Sequence, residues 1–528
     1  MSKISNMNRA PVLIANRGEI AIRIARTAKA LGFPTVAVYS EADRFSEHVR
    51  ACDQAYFIGG SAPKDSYLNV ENVIAAAKAS GAQYIHPGYG FLSERAHFAD
   101  ALKAAGLTFV GPSAESMRLM GDKITARKTI DDLGLPRVPG SPGVVKDGGE
   151  AARVAKEIGY PILLKAAAGG GGKGMRRVDS EKEIVSAFEG ASREAQSAFG
   201  DGSMYVEKLI LEPHHVEIQV FGDGKGGAIH LGERECSIQR RHQKVWEETP
   251  APILNRHPKT REAMFEAGLK ITSAVKYAGA GTLEFIVDGA GNFYFLEMNT
   301  RLQVEHSVTE WITGIDLVAM QLLLATGELT ADGKKLETPS RNGASVEARL
   351  YAEDPQNFLP APGPVGRIHL PHGPFVRVDS AITEAGEISM HYDPMIAKIS
   401  VWGKTREEAI GRMRVALDET RVEPPKNRDG SKRGSLKTNL EFLQKLVRND
   451  QVLGGDTTTD LIAKNKDLTE APSAEVVDAG VTAEEAIALS LHQFLLEQNA
   501  REGANQSSGG DSHHSMWQTV SRREGVRS

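Results

Sequence analysis

Short apolar runs alternate with helix-like segments over the first part of the sequence, and this alternation restricts the fold more than any other feature. The apolar runs cover residues 12–15, 35–39 and 84–85. Helix-like patterns follow the first run as far as Leu31 and occupy residues 70–79. Strands that alternate with helices predict an α/β fold with a parallel, doubly wound sheet.

The turn after the first predicted strand has too few glycines for a dinucleotide-binding site. Its sequence is Asn16-Arg17-Gly18-Glu19, with a single glycine. A Rossmann fingerprint needs one glycine for the tight turn and another for the close approach of a pyrophosphate. The N-terminal region is therefore expected to be Rossmann-like in topology only.

Pattern and composition divide the rest of the chain into three further regions. Alternating strands around Asp223-Gly224 and around residues 288–292 predict two hairpins in the second region. A mixed α+β region follows, and its segment 423–434, rich in Pro, Lys, Arg and Gly, predicts a disordered surface loop. One amphipathic helix, 483–497, stands in the tail. The predicted boundaries are 1–122, 123–340 (with a lid at about 136–208), 341–466 and 467–528.

Charge and cysteine content exclude several classes of protein. The 63 basic and 68 acidic side chains leave a net charge of −5, which argues against a nucleic-acid partner. Cys52 and Cys236 are too few for a disulfide framework or a cysteine metal site. The sequence shows neither an apolar signal core nor a run of ~20 apolar residues, the length that spans a bilayer. We expect a cytoplasmic protein without a membrane partner.

A glycine cluster at residues 169–174 suits close contact with phosphates. Backbone without β-carbons can close over a phosphate and present its amides to it. The cluster matches G-x-G-x-x-G at Gly169, Gly171 and Gly174, but consecutive glycines match many patterns. It is not a Walker A loop, because Gly174 rather than Ser or Thr follows Lys173. A flexible linker is the alternative interpretation.

The segment from Glu297 to Glu305 carries an unusual set of polar side chains. If it is extended, one face holds Glu297, Asn299, Arg301, Gln303 and Glu305. Solvated strand faces are usually lined by interchangeable Lys, Glu, Ser and Thr, unlike this mixture. Glu284 also interrupts the apolar run of the preceding hairpin arm. Carboxylate and amide oxygens from paired strands predict an Mg²⁺ site, and a strand with one dry and one wet face is the alternative.

A basic cluster stands earlier in the chain, at residues 239–244. Its side chains Arg240, Arg241 and Lys244 suit an anionic substrate or a phosphate. A solvated hairpin end explains it equally well. His214 and His215 are a poor metal pair, because adjacent residues point apart on a strand.

Eight strings are found in order over residues 11 to 466. They are IANRGEIA from Ile14, HPGYGFLSE from His86, MGDK from Met120, Lys165 with the glycine cluster, HVEIQ from His215, RRHQK from Arg240, EMNTRLQVEH from Glu297, and EARLYAED from Glu347, which contains Arg349. Together they resemble the biotin carboxylase family. That resemblance implies an ATP-grasp fold with a C-terminal α+β biotin carboxylase domain.

The resemblance also implies a role for each matching residue. Residues implied to contact ATP phosphates are Lys123, Lys165, Gly169, Gly170, Gly171, Gly172 and Gly174. Others in the nucleotide pocket are Glu207 and Lys208 near the adenine, with His215, Gln239 and His242. The implied Mg²⁺ or Mn²⁺ ligands are Glu284, Glu297 and Asn299. Lys244, Arg301, Gln303 and Val304 match the bicarbonate site, Glu305 matches the general base, and Arg349 matches the residue that faces the biotin ureido group.

The chemistry implied is the carboxylation of biotin. Glu305 takes the proton of bicarbonate as it attacks the γ-phosphorus, while Arg301 and Lys244 hold the anion. The carboxyphosphate product breaks down to CO₂ and phosphate. That phosphate deprotonates the ureido nitrogen, and Arg349 stabilises the enolate oxygen. The glycine cluster closes as a lid that excludes water.

The partners implied are a biotin carboxyl carrier protein and a carboxyltransferase subunit, in a homodimer or a larger complex. A biotin-accepting Ala-Met-Lys-Met string is absent from these 528 residues, so we expect biotin to arrive on another polypeptide. The tail from Asp467 either docks such a subunit or is a disordered extension.

Three other classes of protein are alternatives to a biotin carboxylase. Another ATP-grasp ligase, such as carbamoyl-phosphate synthetase, forms carboxyphosphate too, but its large subunit is internally duplicated and this chain is not. A nicotinamide oxidoreductase would rest on the glycine cluster alone. A non-catalytic subunit would have lost the catalytic groups that are present here. The final carboxyl acceptor stays open between acetyl-CoA, propionyl-CoA, another acyl-CoA and pyruvate.

Overall fold

The computed structural model of the chain describes residues 9–167, 174–241, 243–427 and 433–470, without the side chains of Lys123, Ile124 and Asp332.

Parallel strands and flanking helices form the N-terminal region. The strands are β1 Val12–Ile14, β2 Thr35–Ser40, β3 Gln54–Gly59, β4 Tyr84–His86 and β5 Thr108–Phe109. The helices are α1 Gly18–Ala30, α2 Glu47–Ala51, α3 Val70–Ser80, α4 Ala96–Ala104 and α5 Ala114–Gly121. All strand pairs are parallel, and the order β3-β2-β1-β4-β5 reverses between β1 and β4. The predicted doubly wound sheet is therefore confirmed, and sheets of this kind bind ligands where the order reverses.

Two sequence strings meet at this reversal. Asn16, just after β1, donates from Nδ2 to the carbonyl oxygens of Pro87 and Tyr89, just after β4, each at 2.7 Å. Gly88 lies between them with φ +61°, and a β-carbon there would stand 3.0 Å from Asn16 Nδ2 and 3.1 Å from Ile20 Cγ1. Only glycine fits this backbone conformation and this spacing without strain.

A small α/β layer with its own hydrophobic core follows. Helix α6 Lys123–Asp132 precedes this layer, and its buried residues Ala126 and Ile130 belong to a different core, with Val216 and Leu283. The elements of the layer are α7 Gly148–Ile158, β6 Ile162–Ala166, β7 Met175–Val178, α8 Ile184–Phe199 and β8 Met204–Lys208. The three strands pair antiparallel in the order β7-β6-β8. Helix α7 begins where the Asp147 carboxylate accepts from the Glu150 amide, and α8 ends at Gly200 in the left-handed conformation. The buried residues at its centre include Ile162, Leu164, Ile184 and Phe188.

The remaining described strands form one large antiparallel sheet and three two-stranded sheets, and the remaining helices accompany them. The strands are β9 His214–Asp223, β10 Ala228–Glu235, β11 Gln239–Arg240, β12 Gln243–Lys244, β13 Trp246–Thr249, β14 Ala278–Val287, β15 Phe293–Asn299, β16 Ala344–Tyr351, β17 Gly363–Pro364, β18 Arg367–His369, β19 Val376–Ser380, β20 Glu387–Ile388, β21 Met395–Gly403 and β22 Arg421–Glu423. The helices are α9 Pro252–Arg256, α10 Pro258–Ala274, α11 His306–Thr313, α12 Leu317–Ala325, α13 Arg406–Glu419, α14 Leu440–Leu446, α15 Asp450–Gly454 and α16 Leu461–Lys464.

Eight of these strands pair in the order β15-β14-β9-β10-β13-β16-β21-β19. The hairpins predicted at Asp223-Gly224 and at residues 288–292 are confirmed as β9–β10 and β14–β15. The sheet continues from β13 to β16, so it crosses the boundary predicted at residues 340–341. The boundaries of the four predicted regions stay predictions.

The two faces of β16 and β21 differ in character, and this difference positions the site. Val346, Ala348, Ile399 and Val401 are fully buried on the face that belongs to the largest hydrophobic core. The opposite face carries charged and hydroxyl side chains beneath α11, including Glu347, Arg349, Lys398 and Ser400. Polar groups in this face must find partners inside the protein, because they are also buried.

The predictions on the segment 423–434 and on the tail helix fall partly and wholly outside the described residues, respectively. Of the segment 423–434, residues 428–432 lie outside them, and the Arg433 amide donates to the Pro425 carbonyl at 2.6 Å. The tail helix 483–497 lies outside the described residues entirely.

A search of the described ranges finds no single helix that is both long and apolar enough to cross a membrane. Helices α11 and α12 meet that test only when taken as a pair, and they are bent by 94° at the break between them.

Candidate active site

Carboxylates from three neighbouring strands stand side by side in the large sheet. Glu284 of β14 is opposite Glu297 of β15 on one side and Glu217 of β9 on the other. Directly opposite residues point to the same face, and Asn299 lies two positions beyond Glu297 on that face. Glu284 is buried, whereas Glu297 is exposed. The structure thus places the three predicted metal ligands on one face of β14 and β15.

The segment after Asn299 leaves the sheet. Strand β15 ends there, so the extended alternation expected to continue beyond it was wrong for the last three polar residues. The chain must turn to enter α11, and the Arg301 guanidinium bridges the turn. It donates to Asn299 Oδ1 at 3.0 Å, to Gln303 Oε1 at 2.8 Å and to Glu94 Oε2 at 2.8 Å. Hydrogen bonds rather than the pleat bring these side chains together.

Lys244 lies at the centre of the carboxylates. Its ammonium donates to Glu217 at 2.6 Å, to Glu284 at 2.8 Å and to Glu305 at 2.8 Å. Burial acts to lower the pKa of Lys244, but the three carboxylates hold it well above its usual value. Burial likewise acts to raise the pKa of Glu284, and Lys244 brings it below its usual value. This lysine therefore stays charged and offsets part of the negative charge of the three carboxylates.

Glu305 caps the start of α11 and is fully buried. Its second oxygen accepts from Arg349 Nη2 at 3.0 Å, and the same nitrogen is ion-paired with Glu247. Burial acts to raise the pKa of Glu305, but Lys244 and then Arg349 hold it well below its usual value. Glu305 is thus an ionised carboxylate held between two cations.

A second group of charges lies on the small α/β layer and on α6. Glu207, at the end of β8, is ion-paired with both Lys165 of β6 and Arg127 of α6. The Arg127 guanidinium also lies 4.8 Å from the centre of the Tyr205 ring. Burial acts to raise the pKa of Glu207, yet Lys165 and Arg127 lower it below its usual value.

Both groups of charges open onto one cavity of about 780 Å³. The predicted residues that line it are Lys165, Glu207, His215, Gln239, Lys244, Glu284, Glu297, Asn299, Arg301, Gln303, Val304 and Arg349. Glu305 lies just beneath its wall, bonded to two of these residues. The structure therefore brings together residues from six separate stretches of the sequence.

The remaining predicted residues are placed differently. The Lys208 ammonium donates to the carbonyls of Gly159 and Tyr160, at 3.0 and 2.9 Å, and does not line this cavity. Gly174 lies at the start of β7, where its carbonyl accepts from the Ala166 amide at 2.8 Å. The Lys123 side chain, Gly169, Gly170, Gly171, Gly172 and His242 lie outside the described residues.

The donor set fits a hard divalent cation. Glu284, Glu297 and Asn299 offer oxygen ligands, which Mg²⁺ prefers. Candidate ligand atoms of His215, Glu217 and Glu284 also lie within 4.8 Å of one another. Lys244 brings one positive charge to Glu217 and Glu284. A divalent ion beside Glu284 and Glu297 would offset the negative charge that remains on these carboxylates.

A second cavity of about 760 Å³ adjoins the first and shares Gln243, Arg301, Val304 and Arg349 with it. It lies between the reversal point of the N-terminal sheet and residues 381–396. Several buried polar atoms on its wall have no hydrogen-bond partner within the described residues: both Glu19 oxygens, Tyr89 Oη and Arg349 Nε.

Sequence reasoning missed some residues of the site. Arg234 is fully buried and donates to Glu217 at 2.5 Å and to Gln219 at 2.6 Å, so it supports the partner of Lys244. Glu247 supports Arg349, and Glu94 supports Arg301. A charged residue within an apolar strand was the signal that singled out Glu284. Glu217 and Arg234 carry no such signal, because polar and apolar residues alternate in β9 and Glu233 and Glu235 flank Arg234.

Family models match three consecutive parts of the chain. They are the biotin carboxylase N-terminal domain over residues 8–117, the carbamoyl-phosphate synthase L chain ATP-binding domain over residues 122–331, and the biotin carboxylase C-terminal domain over residues 347–464.

Curated relatives agree with these matches. Biotin carboxylase 2 of Bacillus subtilis is 48% identical over 455 residues, which cover 86% of this chain and 99% of the relative. The propionyl-CoA carboxylase alpha chain of Ruegeria pomeroyi is 47% identical over 477 residues, which cover 86% of this chain and 67% of the relative.

Solved structures share the architecture. The Campylobacter jejuni biotin carboxylase, described as a β-γ-ATP complex, has a TM-score of 0.78 and 44% identity, with 86% of this chain and 98% of that chain covered. The biotin carboxylase domain of the Hydrogenobacter thermophilus 2-oxoglutarate carboxylase, solved with MgADP, ADP and bicarbonate, has a TM-score of 0.79 and 44% identity, with 88% and 99% covered. The ATP-grasp architecture expected from the sequence is confirmed. The chain therefore belongs to the biotin carboxylase family and is an enzyme of ATP-dependent biotin carboxylation.

Proposed function

We propose that this chain joins bicarbonate to the γ-phosphoryl group of ATP and then transfers the carboxyl carbon to biotin. The observation that carries the proposal is the position of Glu305. This ionised carboxylate is held between Lys244 and Arg349, and the Arg349 side chain lines both cavities. A base in that place can act on an anion bound in the first cavity, while its partner Arg349 also faces the second cavity.

The first cavity is proposed to hold Mg²⁺-ATP. Lys165 and Arg127 bring two positive charges to its wall, and ATP phosphates would compete with Glu207 for them. Glu284, Glu297 and Asn299 would hold the metal ion, which supplies charge neutralisation at the transferred phosphoryl group. The remaining ATP contacts proposed are Lys123, Gly169, Gly170, Gly171, Gly172, Gly174, Lys208, His215, Gln239 and His242.

Bicarbonate is proposed to bind between Arg301 and Lys244, beside Gln303 and the Val304 backbone. Two cations from different elements can hold this small anion in one orientation, which lowers the entropic cost of its attack on phosphorus. Glu305 takes the bicarbonate proton as the oxygen attacks the γ-phosphorus, and ADP leaves. The product is carboxyphosphate.

The low pKa of Glu305 suits the resting enzyme rather than the proton transfer itself. When bicarbonate binds, its negative charge lies close to Glu305, and like charge raises the pKa of a carboxylate. The anion also attracts the Lys244 ammonium away from Glu305. Both effects bring the basicity of Glu305 towards the value that the proton transfer needs.

Biotin is proposed to enter through the second cavity. Carboxyphosphate breaks down to CO₂ and phosphate, and the phosphate takes the proton from the ureido nitrogen. The nitrogen then attacks CO₂, while the Arg349 guanidinium stabilises the negative charge on the ureido oxygen. Arg349 Nε has no partner among the described residues and can donate to that oxygen.

The partners proposed are a biotin carrier and a carboxyltransferase in one complex, with this chain as a homodimer. We further propose an acyl-CoA as the final acceptor, which the likeness to a propionyl-CoA carboxylase alpha chain supports. Co-purification of the carrier and carboxyltransferase with the full chain, and with a chain lacking residues 468–528, tests whether the tail docks either one.

The direct test is ADP release by the purified chain with Mg²⁺-ATP, with bicarbonate and free biotin each added or omitted. We expect turnover that requires bicarbonate, rises with biotin and falls by ~10²–10⁴ in Glu305→Gln, the range typical for loss of a general base. Glu419→Gln, on the exposed end of α13, is the matched control and should behave as the wild type. A rate of ADP release that does not depend on bicarbonate would contradict the proposal.

A further inference from the structure

One lysine is fully buried near the active site but faces neither cavity. Lys398, in the middle of β21, is 1% exposed and is not among the residues that line the two cavities. A buried ammonium is costly unless it is paired and hydrogen-bonded. Its position in the structure therefore calls for a function other than substrate contact.

The Lys398 ammonium is directed at the loop that carries the proposed base. It donates to the Val304 carbonyl oxygen at 2.7 Å, and Val304 directly precedes Glu305. The Asp379 carboxylate lies farther away, at 3.7 Å, and acts as the countercharge, because burial acts to raise its pKa but Lys398 and Arg377 hold that pKa below the usual value. Glu19 lies at 3.8 Å, and burial raises its pKa to about 8. The strongest contact of this ammonium is thus with backbone, and charge-assisted hydrogen bonds are roughly twice as strong as neutral ones.

The sheet register links this contact to Arg349. Lys398 of β21 is directly opposite Arg349 of β16 on one side and Asp379 of β19 on the other. Arg349 and Lys398 therefore leave the sheet side by side on the same face. Arg349 reaches the Glu305 carboxylate, and Lys398 reaches the carbonyl one residue earlier.

Side-chain bonds already hold part of this loop: Arg301 donates to Asn299 and Gln303, and Gln303 Nε2 donates to Glu284 Oε1 at 3.3 Å. The Lys398 ammonium acts in addition on the backbone, at the Val304 carbonyl. Glu305 caps α11 without a side-chain capping bond to the helix. His306 Nδ1 is 2.8 Å from the Gln303 carbonyl oxygen, which ties the loop to itself but not to the sheet. The Lys398 bond ties the loop backbone to the same sheet that carries Arg349.

We propose that Lys398 is a positioning residue, which holds the Val304 carbonyl and thereby fixes the distance of Glu305 from Lys244 and Arg349. This inference rests on the proposed function of Glu305. It assigns no chemical step to Lys398, which does not touch the substrates. Misplacing a reacting group by ~1 Å can cost ~10²-fold in rate, so a backbone anchor of this kind is sufficient to matter.

The test compares bicarbonate kinetics with nucleotide binding in Lys398→Met. We expect bicarbonate-dependent ADP release to fall by ~10–100-fold, the range that corresponds to loss of one hydrogen bond to a charged group. ADP affinity should be unchanged, because the nucleotide contacts lie on other elements. If Lys398→Met does not fold, Lys398→Gln, which also removes the ammonium, takes its place.

Two control variants separate positioning from general destabilisation. Val401→Ala removes buried volume on the opposite face of the same strand, and should lower the thermal midpoint without changing the bicarbonate KM. Lys404→Met, at an exposed position just beyond β21, should change neither.

Unchanged bicarbonate kinetics in folded Lys398→Met, or an equal loss of ADP affinity, would overturn the inference. The proposed function would instead fail if the wild-type chain itself released ADP without a requirement for bicarbonate.

Discussion

Replacing Lys244 by methionine removes the charge that three buried carboxylates share. The ammonium donates to Glu217, Glu284 and Glu305 at 2.6 to 2.8 Å, and methionine keeps most of the side-chain length without a donor. Two of the carboxylates retain another cation, because Arg234 contacts Glu217 and Arg349 contacts Glu305. The perturbation therefore weakens a network and does not leave a charge wholly isolated.

The expected cost follows from this partial compensation. Breaking a buried ion pair by removing one partner typically destabilises a protein by ~3–5 kcal/mol. Since the retained cations and protonation of a carboxylate both reduce that cost, we expect the free energy of unfolding of Lys244→Met to fall by ~3 kcal/mol near pH 7.

The cost should depend on pH, and its sign follows from the carboxylates. In the wild type, the pKa values of Glu284 and Glu305 are lowered, so their stabilising contribution is present above the ordinary value of 4.5 and is lost as the pH falls through the lower folded values. Without the ammonium these folded pKa values rise, and protonation at mildly acidic pH relieves the repulsion. Lys244 itself stays protonated over this range, because its raised pKa lies above 10.5, so only the carboxylates change charge. The stability difference should therefore shrink as the pH falls from about 7 towards 4.5.

Urea unfolding at several pH values measures this difference. Trp246 is buried two residues from Lys244, which makes tryptophan fluorescence a suitable probe. Lys225→Met, in the exposed turn after β9, is the control and should match the wild type at every pH. A stability difference that is the same at pH 5 and pH 7, or no difference at all, would refute the assigned charge network.

Two further predictions concern the two cavities. Arg349→Met should abolish the stimulation of ADP release by free biotin and lower the rate of biotin carboxylation by ~10²–10³-fold. Bicarbonate-dependent ADP release in the absence of biotin should fall much less. Equal losses in the two assays would contradict the biotin role of Arg349. Gly88→Ala should lower the free energy of unfolding by ~1–2 kcal/mol, because a β-carbon at φ +61° is strained and would meet Asn16 and Ile20 within 3.1 Å; thermal unfolding that matches the wild type would show that this turn relaxes easily.

Local patterns in the sequence were sufficient for individual elements. The hairpin turns at Asp223-Gly224 and Asp288 carry residues that favour tight turns, and both hairpins were predicted. Glu284 could be identified because a charged side chain in an apolar strand needs a partner that the strand cannot provide. Such signals depend on a few neighbouring residues, which is why they can be read without the fold.

The extended continuation beyond Asn299 shows where local reasoning fails. Alternation predicts side-chain direction only while the strand lasts, and the end of a strand is set by what packs next to it. Here the start of α11 and the bonds of Arg301 to Glu94 and Gln303 determine the turn. Glu94 lies more than two hundred residues away in sequence, so the residues near Arg301 do not predict this contact.

The sequence by itself determined the parallel N-terminal sheet and the family to which the chain is similar, and it predicted the candidate site residues. Only the tertiary structure decided which charges meet: Lys244 with three carboxylates, Arg349 with Glu247 and Glu305, and Lys398 with the Val304 carbonyl. The physical reason is that buried charges are stabilised by partners on other strands and helices, and strand order and register alone bring those partners within hydrogen-bonding distance.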